Sequence, residues 1–523
     1  MGGRTTSSLL KYPLRLFPET QLVNDVRRIV TLPAATLRYM ALGAVLLAAP
    51  LRAQSESGIP DSASAMSSSR ITAMTTIVRD GTLDGIRWPR LGAAAHELER
   101  AYTARDWAPL WSSDGKPTAS SRAMIDALRR VGERGLDPSD YDVERLGMLA
   151  TTGLGAPGAP AEFDATLSVA SLRVLRALRT GRVAGHESGS RTRQDSVDFA
   201  ATLGALASSA APSEVLDAQE PQFDQYRRLK AAYSEYVAQP ETDIEAVARA
   251  RAIALSLERW RQLPQSASPT QIIVNIPAFQ LQVLQADGDS VAEVLKMDVV
   301  VGTAFKNQTP AFSDSMQYIV FAPYWEVPAS IARSELVNIG MRDPYLLTMN
   351  NYQMVSLKGR VLPATLASVR AVKAGTARIR QLPGGMNSLG RVKFMFPNQY
   401  DIYLHDSPMQ GAFARQRRDV SHGCIRLADP AALARLLLRD QKGWDSTAVE
   451  KALALKSPLR VDLSRTVPVH MLYATAVVEK DGRVIFHEDI YGRDADLAAE
   501  LSRGYPYVAE SDSAAQPSSS KQR

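Results

Sequence analysis

The sequence predicts an α+β chain, with a helical N-terminal half and a β-rich, sandwich-like C-terminal half. Two patterns and their junction carry this reading. Across 91–264 apolar residues recur every three or four positions, as at Leu167, Ala170, Val174 and Leu178, which places one apolar stripe on a helix. At Thr270 the period changes: Ile272, Val274 and Ile276 alternate, then Leu281 and Val283, as residues on one face of a strand do. At 523 residues the chain exceeds one typical core, so two or three domains are expected.

In chain order, 1–53 reads as an export signal. The apolar run 39–51 follows Arg27, Arg28 and Arg38 and precedes Leu51-Arg52-Ala53, a cleavage-like site. That run is shorter than the roughly 20 residues of a membrane span. A periplasmic location is expected, with an uncleaved inner-membrane anchor as the alternative and no other transmembrane segment. Residues 54–85, rich in Ser, Ala and Met, read as a linker.

The helical scaffold domain spans 86–265, broken by Asp137-Pro138 and the Gly/Pro-rich 153–160, and its last helix covers 243–260. The β-rich domain spans 266–465. A turn at Ala286-Asp287-Gly288-Asp289 leads into a strand at 291–301, and further strands are expected at 317–321, 392–396 and 401–405. Between them lies a mixed insertion, 328–383, and a helix is expected at 431–439. A C-terminal hairpin and extension (466–500) turns at Asp481-Gly482, and the polar tail 501–523 should be disordered.

The net charge of +6 is spread without a dense basic run or basic-aromatic interleaving, so nucleic-acid binding is not expected. Cys424 is the only cysteine, which excludes an internal disulfide. It sits in Ser421-His422-Gly423-Cys424-Ile425-Arg426. A thiol acts as a nucleophile in its thiolate form and needs a base or a positive charge beside it. His422 is two residues away, and His405 lies upstream at the end of a predicted strand. Gly423 permits a backbone angle at which successive N–H groups can face one oxyanion. Arg426 is placed to pair with a substrate carboxylate.

Blander roles compete with each of these. His422 could only shape the turn, Arg426 could bridge within the fold, and Trp325 could be core rather than a substrate platform. Asp406 reads as a solvated loop residue, and His96, His186, His470 and His487 as surface or packing residues. A zinc site from His405, His422 and Cys424 is the nearest alternative chemistry, although His-x-Cys adjacency is unlike usual ligand spacing.

His405 with the Ser-His-Gly-Cys-Ile-Arg run resembles the signature of the L,D-transpeptidase catalytic domain. The likeness extends to Pro323-Tyr324-Trp325-Glu326-Val327-Pro328, Ser330-Ile331-Ala332-Arg333, 387–398 (NSLGRVKFMFPN), 400–405 and Ile490-Tyr491-Gly492-Arg493. Upstream, Gly135-Leu136-Asp137-Pro138 with Tyr141, and Leu257-Glu258-Arg259-Trp260, resemble the helical scaffold of that family's large Gram-negative subclass.

The resemblance implies a β-sandwich-like enzyme that needs no metal or cofactor. Cys424 would attack the third stem-peptide residue of a donor tetrapeptide, typically diaminopimelate, and expel D-alanine. The thioester would pass to the amine of an acceptor stem, giving a 3→3 peptidoglycan crosslink. His405 would be the base, with His422, Gly423 and Cys424 at the oxyanion site beside Ser421. Tyr403 and Arg426 would position substrate, and 328–383 would be a capping lid with Trp325 at its hinge.

A monomer is expected. The subclass usually carries a peptidoglycan-binding module before the Leu-Glu-Arg-Trp helix, and here only 239–248 fills that place. A cysteine endopeptidase or amidase on cell-wall peptides, and a non-catalytic wall-binding scaffold protein, remain the rival functions.

Overall fold

The computed structural model describes residues 62–156, 158–183, 197–240, 242–264, 268–287 and 290–503. The expected leader (1–53), the start of the expected linker, His186 and the tail from 504 onward lie outside these residues.

The helical half runs through α1 (Ser62–Asp80), α2 (Ala94–Thr103), a two-stranded ribbon of β1 (Ser112–Ser113) and β2 (Lys116–Pro117), α3 (Ala119–Arg129), α4 (Val143–Thr152), α5 (Ala159–Thr180), α6 (Phe199–Ser208), α7 (Pro212–Asp217), α8 (Asp224–Val237) and α9 (Ile244–Arg261). Thr118, Asp198 and Asp243 cap their helices by accepting from first-turn amides, as N-cap oxygens do. α5 is buried on nearly every side, so it forms the bundle's centre. Its buried Asp164 accepts from the amides of Leu110 (2.6 Å) and Trp111 (2.9 Å), which removes the penalty of an unpaired carboxylate.

The expected linker is corrected in its second part: Met74, Ile77 and Val78 of α1 pack on this bundle. Their sparse spacing was masked by the Ser-rich composition around them. Between α8 and α9 lie only residues 238–243.

The C-terminal half contains β3 (Thr270–Asn275), β4 (Gln280–Asp287), β5 (Ser290–Gly302) and β6 (Phe312–Phe321). The insertion follows with β7 (Trp325–Glu326), α10 (Ala329–Ile331), a π turn (Ala332–Leu336), α11 (Val337–Arg342), α12 (Pro344–Met349), β8 (Tyr352–Ser356), α13 (Leu366–Lys373) and β9 (Ala377–Gln381). Then come β10 (Val392–Met395), β11 (Leu404–His405), β12 (Asp419–Ser421), β13 (Ile425–Leu427), α14 (Pro430–Leu438), α15 (Ser446–Leu453), β14 (Leu459–Leu472), β15 (Ala476–Val478), β16 (Val484–Phe486) and α16 (Arg493–Leu501).

The main sheet is ordered β12-β5-β13-β11-β10-β6-β14-β3-β4, and β4 also pairs with β5, which closes a ring. Closure leaves the eight ring strands without free edges, and β12 sits outside the ring on β5. Alternate residues such as Val274, Leu281, Val299, Ile319, Phe394, Leu404 and Ile425 fill its interior. β14 runs unbroken from 459 to 472, so the boundary expected at 465/466 falls inside a strand that pairs with both β6 and β3.

The strand expected over 401–405 is shorter, because Asp401 adopts a left-handed φ of 55°. Asn398 holds that turn, donating to the carbonyls of Phe396 and Ile402 and accepting from the amides of Tyr400 and Ile402. The insertion is a folded unit with its own core of Val327, Leu336, Leu347, Met354, Val369 and Ile379 around the β7-β9-β8 sheet.

The two halves share a core in which Tyr226, Leu229, Leu257 and Trp260 meet Leu472, Ala474 and Ala476. Buried Arg259 pairs with Asp494 across it. Among the described residues no helix is long and apolar enough to cross a membrane.

Candidate active site

β11 runs parallel to β13, with Leu404 opposite Ile425 and His405 opposite Arg426. Side chains alternate along a strand, so Leu404, Ile425 and Leu427 enter the core while Tyr403, His405, Cys424 and Arg426 share the other face. β10 adds Lys393, directly opposite His405. The shared face floors a cleft of about 810 Å³, which the insertion roofs with Trp325, Ile331, Glu335 and Leu336.

The thiol of Cys424 is half-buried at the cleft floor, 3.6 Å from the carbonyl oxygen of Asp401. Burial pushes its pKa up to about 11, against the pull of hydrogen bonds from the Tyr403 backbone and side chain. Trp325 and Tyr403 line the same cleft as the thiol.

His405 is buried, and its Nδ1 lies 2.5 Å from the carbonyl oxygen of Asp406. A carbonyl only accepts, so Nδ1 carries the hydrogen and Nε2 keeps its lone pair. Burial lowers the His405 pKa to about 3, and the cations of Arg426 and Lys393 push the same way. The resting pair is therefore a neutral thiol and a neutral imidazole.

The turn before Cys424 is built from strain and close packing. Gly423 has φ +116°, which side-chain-bearing residues rarely adopt, and a Cβ there would lie 3.3 Å from Ile402. Ser421 Oγ donates to the Cys424 carbonyl (2.7 Å) and accepts from the Gly423 amide (3.1 Å). The Gly423 N–H is thus occupied, whereas the Cys424 N–H has no protein partner among the described residues.

Behind the turn, Thr309 Oγ1 donates to the Gly423 carbonyl (2.7 Å) and accepts from the Gly302 amide (3.0 Å). Tyr491 donates to the Gly302 carbonyl (2.6 Å) and accepts from the Thr309 amide (3.2 Å). Gly302 has no room for a side chain, since a Cβ would sit 1.9 Å from the Asn307 carbonyl oxygen.

His422 is exposed, and its Nε2 lies 2.8 Å from Oε1 of Glu335 on the insertion. Arg426 is half-buried with its Nη1 3.7 Å from the sulfur of Met409. Asp406 corrects its sequence reading: it is buried, and its carboxylate accepts from the amides of Arg391 (2.8 Å) and Ser407 (2.7 Å). His470 packs inside, hydrogen-bonded to Ser313 and Gln271, while His96 is exposed and His487 half-buried. Sequence reasoning assigned no role to Lys393, Glu335, Thr309 or Tyr491. Lys393 stood in a quoted motif, and its alternation with apolar Val392 and Phe394 was the available signal.

Comparison with known proteins matches 96–232 to a family model described as a scaffold domain, and 269–456 to one described as the L,D-transpeptidase catalytic domain. A Haemophilus influenzae protein named "Putative L,D-transpeptidase" is 32% identical over 246 residues, 47% of this chain and 48% of that protein. The chain thus spans about half the length of that curated relative. The solved structure of Bdellovibrio bacteriovorus Bd1075 is 14% identical, with 45% of this chain and 56% of that chain covered and a TM-score of 0.16, too slight a likeness to bear on the fold.

Proposed function

We propose, from the match of 269–456 to the L,D-transpeptidase catalytic domain and of 96–232 to a scaffold domain, that this chain crosslinks peptidoglycan stem peptides 3→3 through a thioester on Cys424. What supports the reading is the shared strand face, on which the chain's single cysteine and a histidine whose Nε2 is free to accept line one cleft.

In this mechanism Cys424 transfers its proton to His405 Nε2 as the sulfur attacks the carbonyl carbon of the donor's third residue. A neutral base suits a thiol whose own pKa is high, because the proton moves only as the carbon–sulfur bond forms. The Cys424 N–H is the amide available to the oxyanion, and Gly423 contributes the backbone angle rather than a donor. Collapse breaks the carbon–nitrogen bond, and His405 returns the proton to the departing D-alanine amine. An acceptor amine then attacks the thioester and loses its proton to His405. The Cys424 sulfur leaves and regains a proton.

Trp325 and Tyr403 line the cleft around the thiol and position substrate, and His422 ties the Cys424 turn to the capping insertion. Export to the periplasm is part of this proposal, since the polymer lies outside the cytoplasm.

Incubating the protein with a donor tetrapeptide and an acceptor stem, followed by mass analysis, tests the reading. A crosslinked dimer with release of D-alanine is expected. Hydrolysis to tripeptide without any dimer would favour the peptidase alternative.

A further inference from the structure

The cleft floor carries two cations, one on each side of His405. β10, β11 and β13 lie side by side, and their register sets Lys393, His405 and Arg426 in a row across the sheet. Lys393 is half-buried over the Tyr403 ring, with its Nζ 5.5 Å from the ring centroid. Among the described residues no carboxylate forms an ion pair with Lys393 or Arg426. The acids acting on Lys393 are Glu326, which pairs with Arg378 at 3.4 Å, and the Cys424 thiol.

Burial lowers the pKa of both cations, so each is held in the cleft against its own desolvation. A cation held partly out of water gains from an anionic partner that shares its environment. Two unpaired ones flanking the reacting histidine mark a place where an anion arrives with the substrate.

We propose that Lys393 and Arg426 form a divided carboxylate subsite, each cation taking one of the two carboxylates that flank the donor's scissile amide. This rests on the transpeptidase reading above and adds a specificity to it. A tetrapeptide with a diaminopimelate third residue presents one carboxylate on that residue's side chain and another on the departing alanine. The row of Lys393, His405 and Arg426 is matched to such a substrate, with the amide between the two charges. Binding two carboxylates also neutralises both cations, so it raises the basicity of His405 when a donor is present.

The test compares three synthetic donors: one with both carboxylates free, one with the side-chain carboxylate as a carboxamide, and one with the C-terminal carboxylate as a carboxamide. Thioester formation is followed by intact mass for the wild type, Lys393→Met and Arg426→Met, with Lys393→Arg as a charge-preserving control whose folding is checked by circular dichroism.

The wild type should lose roughly 10- to 100-fold in kcat/KM for either amidated donor, the scale of a charge-assisted contact. Lys393→Met should erase the discrimination against one amidated donor and Arg426→Met the discrimination against the other, while Lys393→Arg retains most of it. The subsite is overturned if the wild type acylates all three donors alike, or if both variants respond to the same carboxylate. Should the wild type form no thioester with any donor, the transpeptidase reading itself fails, which is a different result.

Discussion

Nε2 of His422 lies 2.8 Å from Oε1 of Glu335, so the turn that carries Cys424 is tied directly to the 328–383 insertion. Both side chains are about half exposed, which limits the bond's worth to about 1 kcal/mol or less. Glu335→Ala should leave thermal stability nearly unchanged and alter donor KM by no more than about fivefold. Steady-state kinetics checks this. A hundredfold loss would show that Glu335 acts in the chemistry.

His405 and His422 have separable parts. His405→Gln removes the proposed base and should lower acylation by about 10²–10⁴-fold while the protein stays folded. His422→Gln should lose far less, because that side chain faces the lid and solvent rather than the sulfur. Single-turnover acylation rates measure both, and a reversed order of losses would exchange their roles.

The thiol is expected to be protonated at rest. Burial raises Cys424 to about 11, and His405, lowered to about 3, supplies no imidazolium to hold a thiolate. Iodoacetamide alkylation should therefore keep rising through pH 9. A plateau reached below pH 8 would show a preformed thiolate–imidazolium pair instead.

Buried histidines give the fold an acid weakness. Burial takes His405 down to about 3 and His470 to about 4, from 6.5. Between those values and 6.5 the unfolded chain binds protons that the folded one does not, so stability falls as pH falls through that window. His470→Gln, remote from the sulfur, should flatten this slope in urea titrations at pH 7 and pH 4.5. An unchanged slope would place the loss elsewhere.

The Tyr491–Thr309–Gly423 chain should matter to the geometry of the turn more than to the fold. Tyr491→Phe removes bonds to Gly302 and Thr309, at about 1–3 kcal/mol if the partners stay unsatisfied. Acylation should slow with only a modest fall in melting temperature. Gly302→Ala should be far worse, since the added carbon would overlap the Asn307 carbonyl.

Much of this site is legible in sequence because its reactive part is contiguous: Ser421, Gly423 and Cys424 make one turn, and His405 ends a recognisable strand. The remainder arises from pairing between distant strands. Nothing local to Lys393 says that it stands opposite His405, or that the Tyr491 hydroxyl reaches Gly302. The burial of Asp406 has the same origin, since only the fold brings the Arg391 amide to its carboxylate. Helix α1 escaped notice because few of its residues are apolar, and tertiary packing rather than pattern holds it. The alternating strands and the buried helix α5 were plain, because burial imposes their periodicity.

Covalent labelling of Cys424 tests the central claim most directly. On the proposed reading a carbapenem should add one drug mass to the wild type, and peptide mapping should place it on Cys424. Cys424→Ala should take up none and turn over no donor. An adduct on the Ala variant, or crosslinking by it, would contradict the account.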